Sequence, residues 1–245
     1  MEKQTLSYVI DAGNTRLKIA HFQNDEITQV ETFYYSPLDT TLNRLKEISS
    51  EKSLISSVVD EKLNQHLINA LKPNIVLSNQ VDLPIKLDHY LTQETLGVDR
   101  IANSVAAHHL SKQQHSLVID IGTCIKFDMT NAEGYFLGGS IAPGVSMRYK
   151  SMALFTGKLP EIHSNQHIDF IGRSTEECLN VGVINAITHE IQGFIAQYSR
   201  RFENLTIFLT GGDHKIFDKA FKNSIFVDEN LTLKGLHLIL KHNAY

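Results

Sequence analysis

Tyr8-Val9-Ile10-Asp11-Ala12-Gly13-Asn14-Thr15-Arg16-Leu17-Lys18-Ile19-Ala20 is the stretch that decides the fold. A β-branched run enters an aspartate, Gly13-Asn14 supplies a tight turn, and Leu17, Ile19 and Phe22 continue as a second strand. The turn gathers one carboxylate, backbone N–H groups, the Thr15 hydroxyl and the Lys18 ammonium. A phosphate with its metal ion needs that mixture: donors and a cation for the oxygens, an acid for the metal or its waters. A plain β-hairpin accounts for the same residues, because Asn and Gly are ordinary turn formers.

The device recurs. Leu117-Val118-Ile119-Asp120-Ile121-Gly122-Thr123-Cys124-Ile125-Lys126-Phe127-Asp128 is again strand, Asp-x-Gly, turn and strand. Asp120 stands 109 positions after Asp11 in a chain of 245 residues, which points to an internal duplication. Two domains are expected, 1–113 and 114–245, with the polar run Ser111–His115 as connector. A third strand ends in glycines at Thr210-Gly211-Gly212-Asp213. Together the turns suggest two facing hairpins that grip a polyphosphate, with the late turn making room for a base or ribose. Neither a G-x-x-x-x-G-K-[ST] loop nor a G-x-G-x-x-G turn after a strand is present, which argues against a P-loop and a dinucleotide cofactor.

Between these turns the pattern reads as an α/β chain. Glu26–Tyr35 alternates as a third strand, and Ser36-Pro37 is expected to cap a helix with Pro37 at its first position. Short strands at 54–59 and 75–78 bracket a helix carrying Leu63, Leu67, Ala70 and Leu71. Gly97-Val98-Asp99-Arg100 leads into an amphipathic segment, where Asp99 reads on residue grounds as an N-cap. A strand pair interrupted at Gly138-Gly139 and a helix over 145–154 follow. Ser174 and Glu177 have capping-box spacing at the start of the longest helix. Its stripe Leu179, Val183, Ile187, Ile191 and Ile195 fits either a core against its own sheet or a partner surface. A strand at 224–227 and a helix from Asn230 to His242 close the pattern.

A net charge of −4 without any Lys/Arg cluster argues against a nucleic-acid partner. No leader pattern or apolar run of spanning length appears, and two cysteines fit a reducing compartment, so a cytoplasmic protein with no membrane partner is expected. Cys178 is expected in the core, and Cys124 near phosphate but without a base partner. His108-His109 and the pair His163 and His167 lack Glu or Cys at metal-site spacing and read as surface or packing residues.

The motifs Asp11-Ala-Gly-Asn-Thr-Arg-Leu-Lys18, Gly97-Val-Asp-Arg100, Asp120-Ile-Gly-Thr-Cys124, Gly138-Gly-Ser-Ile-Ala-Pro-Gly-Val145 and Thr210-Gly-Gly-Asp213 come in an order and spacing that resembles the type III pantothenate kinases. The resemblance spans the chain. Ala12 stands where that family often has valine, and Cys124 where it usually has alanine. It implies two ribonuclease-H-like domains, each a mixed five-stranded sheet with helices, with nucleotide in the cleft, as in actin, sugar kinases and heat-shock ATPases. It implies ATP-dependent phosphorylation of pantothenate to 4′-phosphopantothenate, the first step of coenzyme A synthesis, by a homodimer.

The resemblance also assigns roles. Asp11, Ala12, Gly13, Asn14, Thr15, Arg16, Leu17 and Lys18 form the first ATP-phosphate loop, with Asp11 acting on Mg²⁺ through water and Thr15 and Lys18 on phosphate. Thr123 is its counterpart, and Asp120 matches a monovalent-cation position for potassium or ammonium. Asp99 matches a catalytic base, Arg100 a ligand for the pantothenate carboxylate, and Tyr90, Gly97, Val98 and Thr175 the rest of the substrate pocket, Thr175 reaching it across a dimer interface. Two alternatives share the phosphate loops: another kinase or phosphatase of this superfamily, and a regulator that senses nucleotide without turnover.

Overall fold

The computed structural model of the chain describes residues 6–49, 51–163, 170–221 and 225–243. His167 and Ser224 lie outside them. The chain forms two compact units, one holding the chain through Leu110 and again from Asn230, the other holding Ser111–Glu229.

In the first unit β1 (Leu6–Ala12), β2 (Arg16–Gln23) and β3 (Glu26–Tyr34) run antiparallel, and β4 (Lys52–Ser57) and β5 (Ile75–Val76) follow parallel to β1. The sheet order is β3-β2-β1-β4-β5. β1 and β4 are central and buried on both faces, which is why they read as unbroken apolar runs. β3 lies at the edge and is mostly exposed, and its charged and polar residues suit a strand with one open side. Ile10, Ala12, Leu17, Ile19 and Ile55 pack with Leu45 of α1 (Leu38–Glu47) and with Leu67 and Leu71 of α2 (Glu61–Leu71). α1 starts one residue later than expected: Pro37 is the N-cap, extended at φ −77° and ψ 138°, and no side chain caps the helix. α2 does have a side-chain cap, Asp60, whose carboxylate accepts from Leu63 N at 3.0 Å. α3 spans Val98–Leu110.

The second unit repeats the topology. β6 (Ser116–Ile121), β7 (Cys124–Thr130) and β8 (Phe136–Pro143) are antiparallel, with β9 (Thr206–Thr210) and β10 (Phe226–Val227) parallel on the other side of β6. Read from β8, the order is β8-β7-β6-β9-β10, the same as in the first unit. The duplicated hairpin in the sequence therefore belongs to a duplicated sheet. β8 continues through Gly138-Gly139, both paired with β7, but the register shifts between Met129 and Thr130 beside Gly138, whose φ is +96°, so the expected interruption is an irregularity within one strand.

Among the described residues, three α-helices belong to this unit: α4 (Val145–Phe155), α5 (Thr175–Arg201) and the short α6 (His214–Phe217). The α5 stripe serves its own sheet: Val183, Ile184, Ile187 and Ile191 are buried against Leu117, Ile119, Ile121 and Phe127. Ser174 caps α5 by accepting from Glu177 N at 3.2 Å, and Glu177 reaches back to Arg173 N at 2.6 Å. Such a cap contributes about 1 kcal/mol. Cys178 is exposed rather than in the core, one residue before the buried stripe begins at Leu179, and both cysteines are free.

The final helix, α7 (Leu231–His242), was expected with the second half but packs in the first unit. Leu231, Leu233, Leu236, Ile239 and Leu240 give it a buried face. Gly235 lets its backbone lie against that of α3, since a Cβ there would collide with the Ala102 carbonyl. Polar contacts fix the seat: Thr232 donates to Asn103 Oδ1 at 2.8 Å, Lys241 pairs with Asp25 at 2.7 Å, and Asn243 donates to the Asp82 carbonyl at 2.8 Å.

Candidate active site

In the first unit β1 carries Asp11 to the end of its strand, directly across the ladder from Lys18. The turn closes with Gly13 N donating to Arg16 O at 3.0 Å, and leaves Asn14 and Thr15 exposed at its tip. Tyr35 anchors the turn by donating its hydroxyl to Gly13 O at 2.7 Å. Burial, and secondarily the Asp11 charge, raises the Tyr35 phenol above the ordinary tyrosine value, so it stays protonated and remains a donor. A single bond of this kind contributes about 1 kcal/mol. Tyr35 was not anticipated, because nothing but alternation marks its position.

Gly97-Val98-Asp99-Arg100 occupies the start of α3. The helix begins at Val98, so Asp99 lies within the first turn and is not the N-cap. An acidic side chain there is favoured by the helix dipole. Asp99 Oδ1 accepts from Arg100 N at 2.9 Å, and a Cβ on Gly97 would come within 2.6 Å of that oxygen. Glycine at 97 is thus the residue that lets the carboxylate fold back over the helix start. Arg100 is not a solvated arginine: it is only 6% exposed. Its guanidinium lies 5.8 Å from the centre of the Tyr90 ring, within cation–π range. Tyr90, Gly97, Asp99 and Arg100 are therefore brought together.

In the second unit Asp120 and Lys126 face each other across the β6–β7 ladder, as Asp11 and Lys18 do in the first. Lys126 Nζ lies 2.7 Å from Asp120 Oδ2. Losing one partner of such a buried pair costs about 3–5 kcal/mol, since the other charge is left unpaired. The Gly211 turn closes over the carboxylate from β9. At φ +98° Gly211 adopts a left-handed backbone, and a Cβ there would lie 2.5 Å from Asp120 Oδ1. Asp213 N donates to Ile121 O at 2.9 Å and Gly144 N to Thr123 O at 3.1 Å, so three glycine-bearing turns meet around Asp120 and Thr123. Thr123 itself is exposed. Lys126 was missed, although the register of an Asp-x-Gly hairpin allows its facing residue to be counted.

The donor set answers differently for the two metals. Mg²⁺ keeps several waters and needs one or two carboxylates besides substrate phosphates, which half-buried Asp11 beside an exposed turn can provide. A free monovalent cation at Asp120 does not fit, because a lysine ammonium already stands on the carboxylate. Among the described residues, no group of three or more His, Cys, Asp or Glu could hold a metal ion alone.

Thr175 is the first residue of α5, in the second unit. It is exposed and lines an open cavity of about 570 Å³ with Met152, Leu159, Gly172, Arg173 and Cys178. No helix among the described residues is long and apolar enough to cross a membrane.

Two mixed five-stranded sheets of one order, each with a glycine turn after an aspartate, give the chain the fold of the sugar kinases. A glucokinase from an Antarctic psychrotroph superimposes with a TM-score of 0.53 at 12% identity, over 98% of this chain and 100% of that one. A Campylobacter jejuni structure described as a Baf family transcriptional activator gives 0.66 at 22% identity, over 97% and 98% of the two chains. These likenesses establish the fold alone. The family model of the type III pantothenate kinases matches residues 8–197. A type III pantothenate kinase from Christiangramia forsetii is 40% identical over 243 residues, 97% of this chain and 99% of that protein. The chain belongs to the type III pantothenate kinase family.

Proposed function

We propose that the protein transfers the γ-phosphoryl group of ATP to the primary hydroxyl of pantothenate, yielding 4′-phosphopantothenate and ADP. The observation that carries this reading is the juxtaposition at the start of α3: the Asp99 carboxylate held over the helix, and the buried Arg100 beside Tyr90. Phosphoryl transfer depends mainly on positioning and charge neutralisation. Asp99 orients the nucleophilic hydroxyl and takes its proton as the new P–O bond forms and the bond to the β-phosphate oxygen breaks. Arg100 supplies the planar fork that suits the pantothenate carboxylate, with Tyr90, Gly97 and Val98 completing the wall. Thr175 belongs to the same reading as a substrate contact.

ATP phosphates meet the Asp11–Lys18 loop, where Thr15 and Lys18 are the side-chain donors, and Thr123 is the donor of the duplicated turn. Asp11 would hold Mg²⁺ through water, and the ion when bound would supply charge neutralisation for the phosphates. The protein works in the cytoplasm as a homodimer. Exposed Leu154, Phe155, Phe170 and Ile171 support a contact near the start of α5, in place of the α5 stripe, which is used internally.

The reading is tested by incubating the purified protein with pantothenate, ATP, Mg²⁺ and potassium and looking for 4′-phosphopantothenate by mass spectrometry. Pantothenate-dependent product is expected. Its absence with a folded protein rejects the reading in favour of another phosphotransferase or a nucleotide-sensing regulator.

A further inference from the structure

We infer that Lys126 is a built-in monovalent cation, whose ammonium takes the place at Asp120 expected for an exchangeable potassium or ammonium ion, so that catalysis by this chain does not require such an ion. The inference rests on the reading of the protein as an ATP-dependent pantothenate kinase.

Asp120 is only 8% exposed. A carboxylate so placed needs a positive counter-charge. A chain that lacked one would have to recruit an ion. Here the fold supplies it: Lys126 is the residue directly opposite Asp120 on the neighbouring strand, so both side chains leave the same face of the sheet. Nζ reaches Oδ2 at 2.7 Å, and the side chains of Lys126 and Asp120 are only 16% and 11% exposed. This is a placement fixed by strand register, unlike that of a flexible surface lysine. The other carboxylate oxygen faces the Gly211 turn, where a Cβ would lie 2.5 Å away.

Charge gives the same answer. A lysine ammonium carries one positive charge and three donors, the charge of a potassium ion and the chemistry of an ammonium ion. A further cation on Asp120 would meet repulsion from Nζ. Thr123, three residues from Lys126 in the same hairpin, is the residue read as a phosphate donor, so the fixed charge stands beside that turn. Lys126 is a positioning residue in this account: it holds Asp120 and the turn without touching the reacting atoms.

The test compares pantothenate phosphorylation in potassium, ammonium and choline chloride at one ionic strength, for wild type and for K126T. Threonine suits a strand and leaves space at Asp120. Wild type should turn over equally in the three salts, within about twofold. K126T should fall by about tenfold or more in choline and recover in potassium or ammonium, since the buried carboxylate then needs an ion from solution. Thallium(I) soaked into crystals should scatter anomalously at Asp120 in K126T and not in wild type, whatever the activity of the variant. Wild type that works in potassium but not in choline overturns the inference. So does folded K126T that is insensitive to salt or that ions do not restore. Should K126T fail to fold, K126M replaces it. Wild type inactive in all three salts would instead reject the kinase reading itself.

Discussion

Arg100 and Tyr90 form one unit: the guanidinium carbon lies 5.8 Å from the ring centre, and Nη1 donates to the phenol oxygen at 3.4 Å. The nine residues between them include a short 3-10 turn and the glycine that opens α3, so a loop residue and a helix residue share one small volume. A buried guanidinium with one face on an aromatic ring is pre-oriented, and little side-chain freedom remains to be lost when a carboxylate arrives.

Arg100→Lys should therefore raise KM for pantothenate by about 10- to 100-fold, the value of a lost charge-assisted fork, while KM for ATP stays put. Steady-state kinetics with each substrate varied in turn would show this. Equal changes in both constants would mean that Arg100 supports the fold and has no role in selecting the substrate.

Tyr35→Phe removes the hydroxyl that holds the Gly13 carbonyl at 2.7 Å. A loss of about 1 kcal/mol in unfolding free energy is expected, together with a higher KM for ATP, because the turn is less well held. Urea unfolding and ATP titration are the two readouts. The phenol is kept protonated by burial and by Asp11, so neither effect should depend on pH across the working range.

Gly235→Ala should destabilise the protein by about 1–3 kcal/mol or more, because the new methyl group collides with the backbone carbonyl of Ala102. The contact is between α7 and α3, the helix that bears Asp99. Thermal unfolding should show the loss, and a variant as stable as wild type would contradict the close packing of the two helices.

Stability should fall as pH drops below about 6.5. Burial, more than any other cause, lowers His237 from its ordinary value of 6.5, against the opposing pull of Asp25. Its ring is stacked on Phe22 with centroids 3.9 Å apart. The unfolded chain takes up the proton near 6.5 and the folded chain only at lower pH, so acidification through that window favours unfolding. His237→Asn should flatten the slope of unfolding free energy between pH 7 and pH 5.5, which chemical denaturation at fixed pH values measures; an unchanged slope would exonerate this histidine.

The hairpins and their duplication were legible because Asp-x-Gly followed by a strand is a local pattern, and its recurrence at half-chain spacing is visible without any tertiary knowledge. The Ser174 cap was legible for the same reason: its partner lies three residues away. What escaped depends on contacts that sequence distance hides. The seat of α7 on α3 joins residues more than a hundred positions apart, and the apolar pattern of α7 does not say which sheet it will cover. Arg100 is buried beside Tyr90, although in a first helical turn a solvated side chain is the ordinary expectation. The Asp120–Lys126 pair lies within reach of sequence reading, because antiparallel register follows from the turn.

The central claim is that Asp99 takes the proton from the pantothenate hydroxyl, and the most direct test is kcat of Asp99→Asn in an ADP-release assay with saturating pantothenate and ATP. Asparagine keeps an oxygen to accept from Arg100 N, so only a small drop in unfolding temperature is expected, from the charge lost at the helix start. In Asp99→Asn kcat should fall by about 10²- to 10⁴-fold with both KM values nearly unchanged. A folded Asp99→Asn enzyme that turns over at the wild-type rate would contradict it.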